Sequence, residues 1–291
     1  MFEWMQAGEH SYYINSPAKI GVYHDDSQTI LIDSGNDKDA GRKIRQLLDQ
    51  RQWTLTAIVN THSNADHIGG NAYLQRQTGC KIFAPGIEAA FTRAPILEPS
   101  FLYGGYPPQA LRHKFLMAQP SDALDFSHPD FPKVLEPIPL PGHFFDMVGL
   151  RVPDGTVFLA DCLSSAATLE KYQFSFIYDV AAYLQTLDLV EHMTAKCFVP
   201  AHADATDDIA PLARLNRDKV LEIADFLTAA CAQPQTAEAL LQQAFTHYGL
   251  TMDFQQYVLV GSTIRSYLSW LSDSGRLTAQ FENNQLLWAQ A

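Results

Sequence analysis

Residues 61–70 read Thr-His-Ser-Asn-Ala-Asp-His-Ile-Gly-Gly and directly follow a short β-rich run, Leu55 to Asn60. This segment, called the metal loop below, brings imidazole and carboxylate groups together, and such groups bind zinc at about 2.0–2.2 Å. If the chain is still extended there, positions 62 and 64 face the same way, whereas a turn into the next helix lets Asp66 and His67 face elsewhere. The segment therefore predicts one loop that serves two metal ions. The alternative interpretation is that these polar residues only cap the following helix.

Three further strand-like runs end close to a residue that could bind a metal. Val134 to Leu140 is followed by Pro141-Gly142-His143, Thr156 to Ala160 by Asp161, and Cys197 to Ala201 by His202. Strand ends of parallel or mixed sheets lie along one edge, where loops form binding sites. We therefore expect these residues to converge with the metal loop on one site.

Five segments, in chain order, resemble the motifs of the metallo-β-lactamase fold superfamily. They are Leu31-Ile32-Asp33-Ser34-Gly35, the His62 to His67 cluster, Pro141-Gly142-His143, Leu159-Ala160-Asp161 and Pro200-Ala201-His202. The resemblance covers about residues 5–205 and implies an α/β (α+β) fold, namely an αββα sandwich of two sheets flanked by helices. Strands and helices occur in two successive groups along the chain, which agrees with this architecture.

The resemblance also implies which residues bind metal. One site would contain His62, Asn64 and His143, the other Asp66, His67 and His202, and Asp161 would bridge the two. The family pattern is H-x-H-x-D-H, whereas this chain has H-x-N-x-D-H. An amide oxygen is a harder and usually weaker zinc donor than imidazole, so we expect the first site to be weakened and the second to fill first. The alternative hypothesis is that Asn64 marks a site that has lost its activity.

These residues predict hydrolysis by a metal-activated water. One or two Zn²⁺ ions, or another divalent metal, would lower the pKa of bound water from 15.7 towards about 7. The predicted catalytic residues are Asp161, which would hold the metals together, and Asp66, which would ligate one ion and orient or deprotonate the nucleophile. Asp33 would support the metal loop from behind the ligands.

We expect a small ester, thioester or lactone as the substrate, because the loops are aromatic and the chain is acidic. Two alternatives stay open at this point: a metal-dependent ribonuclease or phosphodiesterase, and a metal-binding or redox protein that uses the same fold without hydrolysis. A di-iron redox centre would usually need an added acidic ligand in the metal loop, and Asn64 is not acidic.

A change of composition after His202 predicts two domains. Residues 1–207 would form the catalytic domain, and residues 208–291 a small helical, winged-helix-like domain. Its predicted elements are helices at Ile209 to Ala230, Thr236 to Tyr248 and Ser262 to about Gly275, and a hairpin that turns near Asn283-Asn284. A comparable tail occurs in the β-lactamase-like protein 2 branch of the superfamily, some of whose members cleave single-stranded RNA.

Charge argues against nucleic acid as the partner. The formal net charge is −12, and the candidate recognition helix from Ser262 carries only Arg265 as a cation, whereas polyanion binding normally uses several Lys and Arg contacts. The tail is therefore expected to be a packing element or a homodimer contact. A local basic groove remains an alternative, built from Arg76, Lys81, Arg93, Arg112 and Lys114.

The stretch from Pro95 to Pro132 is predicted to be irregular, since it is long and rich in Gly and Pro. Its aromatic residues, with those of a second segment, are candidates for an apolar substrate pocket over the metals: Phe101, Tyr103, Tyr106 and Phe115, with Tyr172, Phe174, Phe176 and Tyr178. Packing against the sandwich or a dimer contact is the alternative.

Length and composition are those of a globular protein with one large core and a small appendage, since 47% of the 291 residues are hydrophobic. The four cysteines are widely spaced, and the N-terminus lacks a basic stretch followed by an apolar core. We expect a reduced, cytoplasmic protein that does not enter a membrane, because no apolar run approaches roughly 18 residues.

Overall fold

The computed structural model describes residues 2–291, and a sheet of seven strands in chain order forms its first half. The strands are β1 (Glu3–Gln6), β2 (Ser11–Asn15), β3 (Ile20–Asp25), β4 (Gln28–Ile32), β5 (Leu55–Val59), β6 (Lys81–Ala84) and β7 (Ala123–Asp125). Strands β1 to β4 pair antiparallel, whereas β4 to β7 pair parallel. The carboxyl ends of β4 and β5 therefore lie side by side, which brings Asp33 next to the metal loop.

A second sheet of four strands packs against the first. Its strands are β8 (Glu136–Pro139), β9 (Val148–Arg151), β10 (Thr156–Phe158) and β11 (Cys197–Val199), in the spatial order β11-β10-β9-β8. Strands β10 and β11 are parallel, so the residues that follow them emerge at the same edge. Between the sheets lies a buried apolar layer that includes Ile32, Val59 and Phe83 from one sheet and Leu150 and Phe158 from the other.

Helices cover the outer faces of both sheets. They are α1 (Lys38–Gln50), α2 (Ala65–Ile68), α3 (Asn71–Thr78), α4 (Glu88–Arg93), α5 (Leu97–Tyr103), α6 (Ala166–Tyr172), α7 (Val180–Glu191), α8 (Ala210–Ala230), α9 (Ala237–His247) and α10 (Phe254–Asp273). Ile44 and Leu48 of α1 pack on the first sheet, while Leu187 of α7 and Leu227 of α8 belong to the core of the second. The predicted αββα sandwich is confirmed.

The sequence explains where α1 forms. The Asp37 side chain caps it by accepting a hydrogen bond from the backbone N–H of Ala40. Ala40, Ile44 and Leu48 then recur every four residues on the buried face, as the burial of one helix face requires. The sequence therefore accounts for both the start of α1 and its buried face.

The stretch from Pro95 to Pro132 is more regular than predicted. It contains α5, a short 3₁₀ helix at Gln109–Leu111 and strand β7. The expectation that regular structure stops there was wrong, because Leu102 and Leu111 form a buried cluster with Val258 of α10. Packing against another part of the chain stabilises this segment, and local sequence does not show such packing.

The C-terminal elements follow in the predicted order, although α10 begins at Phe254 and not at Ser262. Asp253 caps α10 by accepting a hydrogen bond from the N–H of Gln256. The hairpin of β12 (Leu277–Glu282) and β13 (Gln285–Gln290) turns through Asn283 and Asn284, whose positive φ angles of 48° and 62° suit a type I′ turn.

Helices α8 and α10 share one hydrophobic core with β10 and β11. The winged-helix-like character of the tail and a domain boundary after residue 207 stay predictions. Over residues 2–291, the protein contains no helix with the length and apolarity needed to cross a membrane.

Candidate metal centre

The structure brings all seven predicted ligands together at one edge of the sandwich. Asp66, His67, Asp161 and His202 offer ligand atoms that lie within 4.8 Å of one another, and so do His62, His143 and Asp161. The side-chain oxygen of Asn64 lies 3.2 Å from Nε2 of His143, within the second of these groups. Asp161 belongs to both groups, as expected of a bridging residue.

Each ligand is held at the end of a strand or on the short helix that follows one. His62 follows β5, and Asp66 and His67 lie on α2. Asn64 occupies the N-cap position of α2, but its side chain makes no capping hydrogen bond. Helix capping therefore does not account for the side chain of Asn64.

The hydrogen bonds of the four histidines fix which ring nitrogen faces the centre. Each Nδ1 lies 2.8 to 3.0 Å from an oxygen that accepts its hydrogen: Thr61 Oγ1 for His62, Asp33 Oδ2 for His67, the Phe176 carbonyl for His143 and the Pro17 carbonyl for His202. The Thr61 hydroxyl donates its own hydrogen to Asp33, so its oxygen is free to accept. Because Nδ1 donates outwards, Nε2 of each ring faces the centre, and in the neutral ring this atom carries the lone pair that binds a metal.

Three buried atoms at the centre have no hydrogen-bond partner among the described residues. Among the described residues, Nε2 of His62 is buried and has no hydrogen-bond partner. Nε2 of His67 and Oδ1 of Asp161 are 2.9 Å apart, yet neither takes part in a hydrogen bond within residues 2–291. Buried acceptors that face one another are stabilised by a cation between them, and imidazole with carboxylate is a donor set that suits zinc. The residues present therefore fit a divalent metal.

Neighbouring charges shift pKa values most strongly in the group that contains His67 and His202. Burial opposes the charged form of both rings, but the carboxylates of Asp161 and Asp66 outweigh it, so that the pKa of His67 lies well above 6.5 and that of His202 rises to about 9. Burial also opposes ionisation of Asp161, but His202 and His67 bring its pKa well below 3.8. This group attracts positive charge strongly.

The other group attracts positive charge less. Burial and the neighbouring His67 bring the pKa of His62 well below 6.5, and burial lowers that of His143 in spite of Asp161. Both rings are therefore neutral ligands with available lone pairs, but few carboxylates accompany them.

Asp33 supports the metal loop in the manner that the sequence analysis expects. Its carboxylate, 3% exposed, accepts hydrogen bonds of 2.8 Å from the backbone N–H of Thr61, the hydroxyl of Thr61 and Nδ1 of His67. Asp33 thereby fixes both the position of the loop and the tautomer of His67.

Two buried glutamates near the centre were not found from the sequence. Glu88 accepts hydrogen bonds from the backbone N–H and hydroxyl of Ser63 and from the N–H of Asp146, so it ties the metal loop to the loop that carries His143. Burial raises its pKa to about 7. Glu98 accepts a hydrogen bond of 2.9 Å from Nδ2 of Asn64, and burial raises its pKa well above 4.5. The available signal was a carboxylate within a short apolar segment, Leu97-Glu98-Pro99, which does not identify a partner 34 residues away.

Two cavities flank the centre and share walls from α10. The first, of about 310 Å³, is rich in hydroxyl and amide groups: Ser164, Thr168, Tyr172, Ser175, Gln255, Gln256 and Thr263. The second, of about 260 Å³, is more apolar and includes Leu102, Phe115, Leu116 and Leu259 beside Asn64, Asp66 and Glu98. Gln255, Leu259 and Phe176 line both cavities.

The aromatic residues proposed for the pocket are divided between these cavities and other places. Tyr172, Phe174 and Phe176 line the first cavity, and Phe115 and Phe176 line the second. Phe101, Tyr103 and Tyr178 line a separate groove beside α10, and Tyr106 is 74% exposed. Half of the predicted aromatic set therefore lies next to the metal centre.

The chain is similar to known proteins in sequence and in fold. The profile of the Metallo-beta-lactamase superfamily matches residues 15–202. The hydroxyacylglutathione hydrolase of Thiobacillus denitrificans (strain ATCC 25259 / T1) is 35% identical over 66 residues, 23% of this chain and 24% of that protein. The hydroxyacylglutathione hydrolase of Rhizobium meliloti (strain 1021) is 31% identical over 124 residues, 42% of this chain and 39% of that protein. These are partial matches, since the chain covers 21% to 27% of the length of the first three curated relatives.

Solved structures match along almost the whole chain. A beta-lactamase domain protein from Burkholderia ambifaria superposes with a TM-score of 0.77 at 14% identity, over 99% of this chain and 95% of that one. A metallo-beta-lactamase family protein from Thermus thermophilus superposes with a TM-score of 0.74 at 15% identity, over 97% of this chain and 99% of that one. At such identities the likeness concerns the fold alone. Together with the profile match over residues 15–202, the fold and the converging ligands lead to one conclusion: this chain belongs to the metallo-beta-lactamase superfamily.

Proposed function

We propose that the protein is a metal-dependent hydrolase whose ligands are His62, Asn64 and His143 at the first site and Asp66, His67 and His202 at the second, with Asp161 bridging. The observation that carries the proposal is the convergence of four Nε2 atoms and two carboxylates on one centre. A bound divalent ion, zinc for this donor set, supplies an activated water and polarises the attacked oxygen.

Asp161 and Asp66 have different roles at the centre. Asp161 has a side chain that is 9% exposed and reaches both groups, with 2.9 Å to His67 and 3.0 Å to His202 of the second site and 3.7 Å to His143 of the first, which suits a fixed bridging position. The Asp66 side chain is 39% exposed, so one of its oxygens can reach substrate and water. Asp66 is therefore the residue that orients the nucleophile and takes its proton.

The second site should bind its ion more tightly than the first. Two carboxylates, Asp66 and Asp161, serve the second site directly, and Asp33 lies behind His67. The first site has the amide oxygen of Asn64 in place of an imidazole. We therefore expect an enzyme that is active with one ion at limiting metal and binds a second ion at higher concentration.

The cavities favour a small, uncharged acyl compound as the substrate. Among the described residues that line the two cavities, none is Lys or Arg. Hydroxyl and amide groups in the first cavity can bind a polar portion of the substrate, while the second accommodates an apolar portion. An ester, thioester or lactone fits this description. The thioester bond has additional support, because the partial relatives are named hydroxyacylglutathione hydrolases. Glutathione itself is charged, however, and the described residues that line these cavities include no Lys or Arg to pair with its carboxylates, so we propose a different thiol portion.

Charges near the centre give no support to RNA as a substrate. Four of the five cations considered for a basic groove have partners elsewhere: Lys81 pairs with Asp130, Lys114 pairs with Asp37, Arg93 donates to the Ala123 carbonyl and Arg112 donates to the Tyr106 hydroxyl. Arg76 is the fifth, and a single cation does not form a basic groove. Repeated phosphate contacts need several available cations.

The proposal is tested by purifying the protein without chelators, counting its metal ions and screening neutral esters, thioesters and lactones beside single-stranded RNA. We expect hydrolysis of a neutral acyl compound that disappears in Asp66→Ala and persists in Asp207→Ala, a control at an exposed aspartate. Purified protein that hydrolyses none of these compounds after metal loading would overturn the proposal. Hydrolysis of RNA that depends on Asp66 would favour the nuclease instead.

A further inference from the structure

The Asn64 amide turns its oxygen towards Nε2 of His143, although the neutral His143 ring has no hydrogen on that atom. Its Oδ1 lies 3.2 Å from Nε2 of His143, while its Nδ2 donates a 2.9 Å hydrogen bond to Oε1 of Glu98. Nδ1 of His143 carries the ring hydrogen, because it lies 2.9 Å from the Phe176 carbonyl. Nε2 of His143 is therefore an acceptor that faces a second acceptor, and no hydrogen lies between them.

Rotation of the amide by 180° would remove this repulsion. Nδ2 of Asn64 would then donate to Nε2 of His143, and this hydrogen bond would use the lone pair that a metal needs. A first site closed in this way would bind no ion until the hydrogen bond was broken. The observed orientation instead directs two lone pairs towards one position, the arrangement expected of two ligands of a cation.

Glu98 is the group that opposes the rotation. It is 5% exposed and lies on α5, a helix held by its packing against α10. In the rotated amide, Oδ1 of Asn64 would face a carboxyl oxygen. The observed orientation needs only an acceptor on Glu98, which the ionised and the protonated carboxyl both provide. The rotated one needs a hydrogen on the carboxyl, so the ionised form of Glu98 opposes it and the protonated form alone could satisfy it.

We infer that Glu98 is a positioning residue, which keeps the Asn64 oxygen turned towards His143 and thereby keeps the first metal position accessible to a divalent cation. This inference rests on the proposed metal sites. It assigns a role to a residue outside the ligand set and explains how an asparagine in the metal loop can serve a site.

The test is a titration of chelator-treated protein with Zn²⁺ and with Co²⁺, whose visible absorption reports its ligands, to obtain the dissociation constants of both sites. In Glu98→Leu, which offers no acceptor, the affinity of the weaker site should fall roughly 10- to 100-fold, as for other groups that orient a ligand. Glu98→Gln, which can accept or donate, should lie between Glu98→Leu and the wild type. The stronger site should change less than the weaker one, because within residues 2–291 no hydrogen bond joins Glu98 to a ligand of that site, and only the charge of Asp66 acts on it from a distance.

Two further measurements separate this role from a general effect on folding. In the Asn64→Ala background, Glu98→Leu should change the weaker site by less than about twofold, since Glu98 acts through Asn64. In chelator-treated protein, the ¹⁵N chemical shift of His143 Nε2 should move towards the hydrogen-bonded value in Glu98→Leu and stay unchanged in Asp207→Ala.

Three results would overturn the inference: an unchanged weaker site in Glu98→Leu, an equal loss at both sites, or a wild-type protein that binds only one ion at saturation. The proposed function can fail separately, through the absence of Asp66-dependent hydrolysis in a protein that binds two ions normally. Conversely, hydrolysis by a one-ion enzyme would leave the proposed function in place and remove the role of Glu98.

Discussion

Asp33→Asn is a change of one atom in a buried carboxylate, and we expect it to weaken the second metal site. Oδ1 of Asp33 accepts from the backbone N–H of Thr61, and Oδ2 accepts from the hydroxyl of Thr61 and from Nδ1 of His67, each at 2.8 Å. An asparagine can keep one of these two oxygens and must place an NH₂ group at the other.

Both orientations of the new amide have a cost that the structure identifies. With the NH₂ at the Oδ2 position, it donates to Nδ1 of His67, which moves the ring hydrogen to Nε2, the atom that should bind metal. The affinity of the second site should then fall roughly 10- to 100-fold, or about 1.4 to 2.7 kcal/mol. With the NH₂ at the Oδ1 position, it faces the buried N–H of Thr61, and an unsatisfied buried donor costs about 1 to 3 kcal/mol of folding stability.

The assay is a competition titration with a chromophoric chelator, combined with urea unfolding of the chelator-treated protein. Asp25→Asn is the matched control, because Asp25 accepts hydrogen bonds from Ser27 and Gln28 at the opposite end of β4. The reasoning is refuted if Asp33→Asn leaves both the affinity of the stronger site and the free energy of unfolding within the range of the Asp25→Asn control.

Three further outcomes follow from the same geometry. Asn64→His should raise the zinc affinity of the weaker site, whereas His202→Ala should abolish binding at the stronger one; equal zinc content in wild type and Asn64→His would contradict the assignment. Gly142→Ala should destabilise the protein by at least about 2 kcal/mol, because its φ is +120° and a Cβ would lie 2.3 Å from the backbone nitrogen of Tyr183. Gly79→Ala is the control in urea unfolding, since a Cβ there meets nothing within 4 Å and only its φ of +70° is strained. In chelator-treated protein, the pKa of His202 is raised from 6.5 to about 9, so its stabilising contribution is present below pH 6.5 and is lost as the pH rises through 9. Urea unfolding at pH 6 and pH 10 should show this decline in the wild type and a smaller one in His202→Ala.

The convergence of the candidate ligands could be predicted from the sequence because their signal is local. His62, His143, Asp161 and His202 each follow a short apolar run, and strand ends of neighbouring strands meet at one edge whatever the details of packing. The supporting role of Asp33 came with the same pattern, since β4 is the neighbour of β5.

What the sequence did not reveal depends on contacts between distant segments. Glu98 lies in a stretch interpreted as irregular, and its partner Asn64 is 34 residues away. The early start of α10 was missed for a different reason: residues 254–260 contain Val258, Val260 and two aromatics, a composition typical of strands. The signal that could have corrected it was the pair Asp253 and Gln256, spaced as in a helix capping box.

The first turns of α10 form a common wall of both cavities, through Gln255 and Leu259. Substitutions in this helix can therefore change which compounds are admitted, while every group of the candidate metal centre stays as it is. Relatives with the same candidate ligands and a different C-terminal segment can therefore differ in substrate selectivity. Exchanging that segment between them should change the preferred substrate and leave the type of reaction unchanged.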